Sequence, residues 1–161
     1  MKILIDGYNL LHASGIFGGV RGAGGFEASR RALLDEIARL LGAARTGVTV
    51  IFDAADAPPG LPSRYVHEGI DVRFAREHGS ADAMIENLIE RHDSPASLTV
   101  VSADNRVMVA ARRRRCRPVA SAEWLHEARV AARAAAAGSE TKPPEPQTDV
   151  EVNRWLEEFG L

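Results

Sequence analysis

Three stretches of the chain are short, mostly apolar runs that end on an acid. Ile3-Leu4-Ile5 runs into Asp6, Val48-Thr49-Val50-Ile51-Phe52 into Asp53, and Leu98-Thr99-Val100-Val101-Ser102-Ala103 into Asp104. Continuous apolar runs of this length, closed by turn-forming residues, mark strands buried on both faces. Elsewhere the apolar positions recur at helical spacing. Leu33, Leu34, Ile37, Leu40 and Leu41 share one face of a helix expected over residues 26 to 41. Ser80 is the expected N-cap of a second helix, over residues 81 to 91, with Ile85, Leu88 and Ile89 inward. A third helix is expected from Arg106 to the arginines at 112 to 115, and a fourth opens at Ser121 and Glu123 and runs through Trp124, Leu125 and Ala128. Residues 70 to 74 alternate apolar with charged, as an edge strand does, and residues 116 to 120 form a short last strand. Strands alternating with helices predict an α/β fold in which helices cover both faces of a mostly parallel, five-stranded sheet.

The remaining segments read as connections. Asp6-Gly7-Tyr8-Asn9 has turn composition, and residues 12 to 25 carry six glycines and Arg21, in a loop that serves either as a lid with Arg21 on a phosphate or as a plain linker. Residues 61 to 69 read as an extended connection. His67 and His78 are isolated and have no assigned role. One domain, residues 1 to 137, is followed by a proline-rich linker over 138 to 148 and an amphipathic helix over 149 to 161. In that helix Thr148 and Glu151 form a capping box, with Val152, Trp155, Leu156 and Phe159 on one face. It has three open fates: docking on its own domain, exchange with a second copy to give a homodimer, or insertion into a partner's groove.

Composition narrows the class. With 161 residues and 45% apolar content the chain can bury a single core. It lacks both a signal-peptide pattern and a membrane-length apolar run, so a soluble cytoplasmic protein is expected. Cys116 is the only cysteine, which excludes an internal disulfide and a cysteine metal cage, and it reads as a small buried filler. A net charge of -2 gives no global attraction to nucleic acid, but Arg112 to Arg115 and Arg117 form a dense patch. Such a patch is either a solvated helix end or a set of planar forks for phosphate.

Ligands of parallel sheets bind at the carboxyl ends of the strands, so Asp6, Asp53 and Asp104 are expected at one rim. Two carboxylates about 4 Å apart repel by roughly 4 kcal/mol at an effective dielectric of 20, so such a cluster requires a cation or a proton. An all-oxygen site suits Mg²⁺ or Mn²⁺. Helix capping is the competing explanation for Asp104, and the helix dipole for Asp82; Asp53 precedes Ala54-Ala55-Asp56-Ala57-Pro58-Pro59-Gly60, which cannot easily begin a helix. Glu86, four residues after Asp82, projects from the same side and extends the acidic cluster if that face meets the rim.

Asp6-Gly7-Tyr8-Asn9, Val50-Ile51-Phe52-Asp53-Ala54, Ser80-Ala81-Asp82 with Ile85-Glu86, and Val100-Val101-Ser102-Ala103-Asp104 together resemble the ordered motifs of NYN domains, most closely the YacP-like branch of the PIN-like nucleases. The likeness covers roughly residues 1 to 130 and leaves out 138 to 161. It implies a three-layer Rossmann-like sandwich and a metal-dependent ribonuclease, an endoribonuclease by preference. Carried over, Asp6, Asp82 and Asp104 form the central acidic site with Asn9 as a further catalytic residue, and Asp53 adjoins them as a metal ligand. Ser102 is a polar neighbour and Glu86 a weaker addition. Mg²⁺ or Mn²⁺ is the implied cofactor and RNA the implied substrate, with Arg21, Arg106, Arg112 and Arg113 as candidate holders of the flanking backbone. Two alternatives stay open: a non-catalytic module that binds RNA, the ribosome or an RNA-processing partner, and a Mg²⁺-dependent small-molecule phosphatase. Against the phosphatase, position 8 is Tyr8 where the haloacid-dehalogenase pattern needs a second aspartate.

Overall fold

The computed structural model describes residues 1–16, 23–55, 57 and 59–140. Six strands form one sheet: β1 (Lys2–Asp6), β2 (Val48–Phe52), β3 (Arg64–His67), β4 (Ile70–Phe74), β5 (Leu98–Val101) and β6 (Arg117–Val119). They lie in the order β3-β4-β2-β1-β5-β6, with every pairing parallel except β3 with β4. The helices are α1 (Gly7–Ser14), α2 (Ala23–Leu41), α3 (Ala81–Glu90), α4 (Asn105–Arg113) and α5 (Ser121–Glu140). One core joins α1, α2 and α5 to one face of the sheet, centred on Ile5, Leu33, Val50, Phe52 and Leu125. A second joins α3 and α4 to the opposite face through Leu4, Ile51, Ile85, Val100 and Val107. The three-layer α/β/α architecture therefore follows from strands that are apolar on both sides.

The sheet departs from expectation in strand number. Residues 64 to 67, expected as part of an extended connection, form a sixth strand that becomes the edge, and β4 moves inward between β2 and β3. Arg64 donates two hydrogen bonds to Asp71, at 2.8 and 3.0 Å, and Arg73 donates to the same carboxylate at 3.0 and 2.6 Å. Burial pushes the Asp71 carboxyl up, but the two guanidinium forks outweigh it and hold its pKa below the usual carboxylate range. The depressed pKa means that its stabilisation is present above the unfolded-state value and is lost as pH falls through the folded one. Asp71→Asn should therefore lower stability by about 1 kcal/mol at pH 7, after discounting for solvent screening. Urea denaturation should show the difference shrinking below pH 4.

The chain after β1 also departs from the expected turn. It enters α1 directly, because Asp6 caps the helix and Leu10 and Leu11 bury their side chains completely. Helix α2 begins at Ala23, so Gly24 and Gly25 are helical rather than part of the expected loop, while Arg21 lies outside the described residues. Helix α5 continues through Gly138 to Glu140, beyond the expected start of the linker. The rest of that linker and the helix expected over 149 to 161, with its docking and homodimer alternatives, also lie outside the described residues. Cys116 is buried, as expected, and burial pushes its thiol pKa up. Among the described residues no helix is long and apolar enough to cross a membrane.

Candidate active site

The strand order reverses at β1. The chain leaves β1 for β2 on one side, and β5 pairs on the other. The crevice above the carboxyl ends of β1 and β5 is thus the switch point at which α/β sheets bind ligands. Asp6 is the last residue of β1, and it is only 7% exposed. Its Oδ1 accepts from the Asn9 backbone N–H at 3.3 Å, and its Oδ2 accepts from the Ser102 hydroxyl at 3.1 Å. Burial, reinforced by the charges of Asp82 and Asp104, outweighs these hydrogen bonds and pushes its pKa up to about 6.

Ser102 is fully buried and ties the two central strands together at the site. Its Oγ donates to Asp6 and accepts the backbone N–H of Asp104 at 3.0 Å. Asp104 caps α4, its Oδ1 accepting the N–H groups of Arg106 at 2.8 Å and Val107 at 3.2 Å. Capping and membership of the acidic cluster are therefore compatible in one residue. Asp53 is likewise held by the backbone: Oδ1 accepts from Ala55 at 3.0 Å, and Oδ2 accepts from Ala81 at the start of α3 at 3.4 Å. Asp82 lies in the first turn of that helix, which Ser80 caps through Ala83. Partial burial is the main reason its carboxyl lies above the usual range; Asp104, Glu86 and Asp53 add to this, while Arg106 opposes it. These strand and helix ends thus bring Asp6, Asp82 and Asp104 within one another's electrostatic reach, and Asp53 within reach of Asp82.

Asn9 faces a structural partner set. Its Oδ1 accepts from the Ala103 backbone at 2.8 Å and from the Ser121 hydroxyl at 2.6 Å, joining α1 to the loop after β5 and to α5. Glu86 meets Arg106 in an ion pair, with Nη2 donating to Oε2 at 3.2 Å. Asp104, Arg106, Val109 and Arg113 share a cavity of about 510 Å³ with Glu86, which brings Arg113 to the acidic rim. Arg112 does not line that cavity. Arg114 is held to the end of α3 by donating to the carbonyls of Glu90 at 3.0 Å and His92 at 3.4 Å. The arginine patch thus divides between a tie to the end of α3 and the wall of this cavity.

Two neighbours of the site escaped the reading by pattern. Tyr8 packs edge-on against Phe52, with ring centroids 5.2 Å apart, and accepts a hydrogen bond from Arg30 at 2.9 Å. Arg30 is 2% exposed. The signal for it was an arginine one turn before Leu33 and Leu34, on the apolar stripe of α2.

A three-layer domain with acids gathered at the carboxyl ends of its central parallel strands has the architecture of a PIN-like nuclease. The family match makes the class specific: residues 3–158 fit the YacP-like NYN domain, and the chain belongs to that family of PIN-like nucleases. The match extends past the expected limit near residue 130 and takes in most of the terminal segment. Among solved structures the chain is similar to Rae1 (YacP) from Bacillus subtilis, with 22% identity over 99% of this chain and 84% of that one and a TM-score of 0.67. It is also similar to a Trp-to-Leu variant of that protein, with 26% identity over 85% of this chain and 80% of that one and a TM-score of 0.66. Comparison with curated proteins found no match.

Proposed function

We propose that this chain is a divalent-metal-dependent ribonuclease that hydrolyses RNA phosphodiesters at the acidic rim, endonucleolytically. The observation that carries the reading is Asp6: a buried carboxylate at the switch point whose proton affinity is raised by burial and by the neighbouring charges of Asp82 and Asp104. The part of that shift due to the neighbouring carboxylates is a repulsion that a bound cation would relieve. Among the described residues no three His, Cys, Asp or Glu side chains close into a ligating group. The acids would hold a cation that keeps part of its water shell, as Mg²⁺ does, meeting it directly or through its bound waters. Asp6, Asp82 and Asp104 would hold it, with Asp53 adjoining. Bound there, Mg²⁺ or Mn²⁺ supplies activation of water and neutralisation of charge on the phosphate.

The surrounding residues position the acids. Ser102 fixes Asp6 relative to Asp104, and Asn9 fixes the loop between them. Arg106 and Arg113, on the wall beside Asp104, hold the flanking RNA backbone through phosphate contacts, which orient the strand without reading its sequence. A single strand suits this crevice, because its phosphates reach a narrow acidic cleft without a second strand in the way. With a net charge of -2, attraction to RNA is local, and a larger RNA-processing assembly such as the ribosome would supply further affinity.

The test is cleavage of a labelled single-stranded RNA in Mg²⁺, Mn²⁺ or EDTA by the wild type, Asp82→Asn and Asp104→Asn, with folding checked by circular dichroism. Products that require metal, and that fall by about a hundredfold or more in both variants, are expected. RNA binding without cleavage, indifferent to both substitutions, would replace the enzyme with a binding module.

A further inference from the structure

Away from the acidic rim, on the face covered by α2, lies a second cavity of about 300 Å³. Glu27, Arg30 and Arg31 of α2 form one wall, and Leu61, Tyr65 and His67 form the other. Tyr65 stacks on Phe74, with ring centroids 6.3 Å apart and planes 28° apart, which fixes the orientation of its ring. The Arg30 guanidinium lies 5.5 Å from the centre of the same Phe74 ring and donates to Tyr8. At 2% exposure it is a fixed positive charge set behind the cavity surface, lying over Phe74. Arg31 is exposed beside it, and His67 is anchored by Asp35 at 2.6 Å. The tyrosine phenol senses these groups: burial pushes its pKa up, and Arg30, Glu27 and Arg31 all act on it electrostatically.

An oriented aromatic ring, two guanidinium groups and one carboxylate acceptor form the set that proteins use for a single-stranded nucleotide. The base stacks on the aromatic or guanidinium plane, its edge meets fixed donors and acceptors, and its phosphate meets a mobile cation. The cavity is also connected to the acids. Tyr8, which bonds Arg30, stands in the first turn of the helix that Asp6 caps.

We propose that this cavity is a nucleotide subsite that takes one unpaired nucleotide of the RNA, base against Tyr65 with the buried charge of Arg30 behind it and phosphate on Arg31, at a distance from the bond that is cut. The source of the nucleotide rests on the ribonuclease reading; the chemistry of the cavity does not. The subsite would favour single strands, since a paired base must first be unpaired and unstacked to enter.

The experiment is a titration of the full chain, kept in EDTA so that no cleavage occurs, followed by amide resonances. The probes are adenosine 5′-monophosphate and a short oligoadenylate. The expected result is saturable change at residues 27 to 31 and 61 to 67 with the mononucleotide, weakened by roughly tenfold in Arg31→Glu, whose exposed position spares the fold. The oligoadenylate should displace the mononucleotide and also perturb residues 104 to 113. An absence of saturable change at 27 to 31 and 61 to 67, or equal affinity in Arg31→Glu, overturns the subsite. Mononucleotide binding that the oligoadenylate does not displace overturns the RNA assignment in favour of a free nucleotide. If these binding results hold and the RNA is nevertheless uncut in Mn²⁺, the ribonuclease reading fails and the nucleotide subsite stands.

Discussion

Replacing Asp6 with asparagine should cut RNA cleavage by about a hundredfold to a thousandfold, as removal of a group that organises charge at a reacting phosphate does, and should make the metal-free protein more stable. The two effects have one cause. The carboxyl pKa rises from 3.8 to about 6 on folding, chiefly through burial. A raised pKa means that the folded state binds the proton more tightly, so stability is fully present below the unfolded-state value and is lost as pH climbs through the folded one. At pH 7 the ionised, buried group costs about 3 kcal/mol, on the conversion of 1.36 kcal/mol per pKa unit. Asparagine is neutral throughout and caps a helix as well as aspartate does, so the α1 cap survives. In EDTA at pH 7 the variant should therefore resist urea better than the wild type, and below pH 4 the two should coincide. Saturating Mn²⁺ should reverse the order, since a cation that binds only the folded wild type stabilises it by mass action. A variant that is less stable than the wild type in EDTA at pH 7, or that cleaves at the wild-type rate, would contradict the assignment of Asp6.

The second large effect is structural and falls one residue later. A Cβ at Gly7 would stand 2.5 Å from Phe52 Cδ1 and 2.9 Å from the carbonyl oxygen of Ile51. Both neighbours belong to β2, and Phe52 is fully buried, so neither can give way cheaply. Gly7→Ala should cost about 3 kcal/mol or more, an overpacking penalty that outweighs the gain of up to about 1 kcal/mol in helix propensity. Gly15→Ala is the control: its φ of +70° is strained for alanine, but the space around it is open, and the expected loss is about 1 kcal/mol. Thermal denaturation of both variants checks the ranking. Equal losses would mean that β2 yields to the new methyl group.

That close contact explains which parts of the molecule were legible in the chain and which were not. The runs at 3 to 5, 48 to 52 and 98 to 101 announced themselves because strands buried on both faces have no polar side to confuse the pattern. Asp6, Asp53 and Asp104 could be placed at one rim from strand polarity alone. Helix α1 was hidden because Asp-Gly-Tyr-Asn has the composition of a turn; Gly7 is there for the proximity of Phe52, a fact about a residue in another strand. Strand β3 was hidden because Arg-Tyr-Val-His at an edge buries little, and its pairing with β4 rests on the Arg64 and Asp71 side chains as well as on the backbone. The same limit applies to function. Ser102 could be read as a neighbour of the acids, but its two hydrogen bonds, one donated to Asp6 and one accepted from the Asp104 N–H, depend on β1 and β5 lying side by side. Arg30 went unmarked, because its burial depends on the Phe74 ring and the Tyr8 hydroxyl, which belong to other elements.

The pairing of β1 with β5 also governs when activity can arise. Lys2 aligns with Leu98 and Ile5 with Val101, so the middle of the sheet joins segments 96 residues apart in the chain. Closing so distant a pairing is slow compared with forming local helices. Asp6 and Asp104 are therefore strangers in any partly folded chain, and a nascent or misfolded copy carries the acids without a cutting centre. Under the proposed ribonuclease function this ordering is a safeguard: the chain would be armed only once its fold is complete.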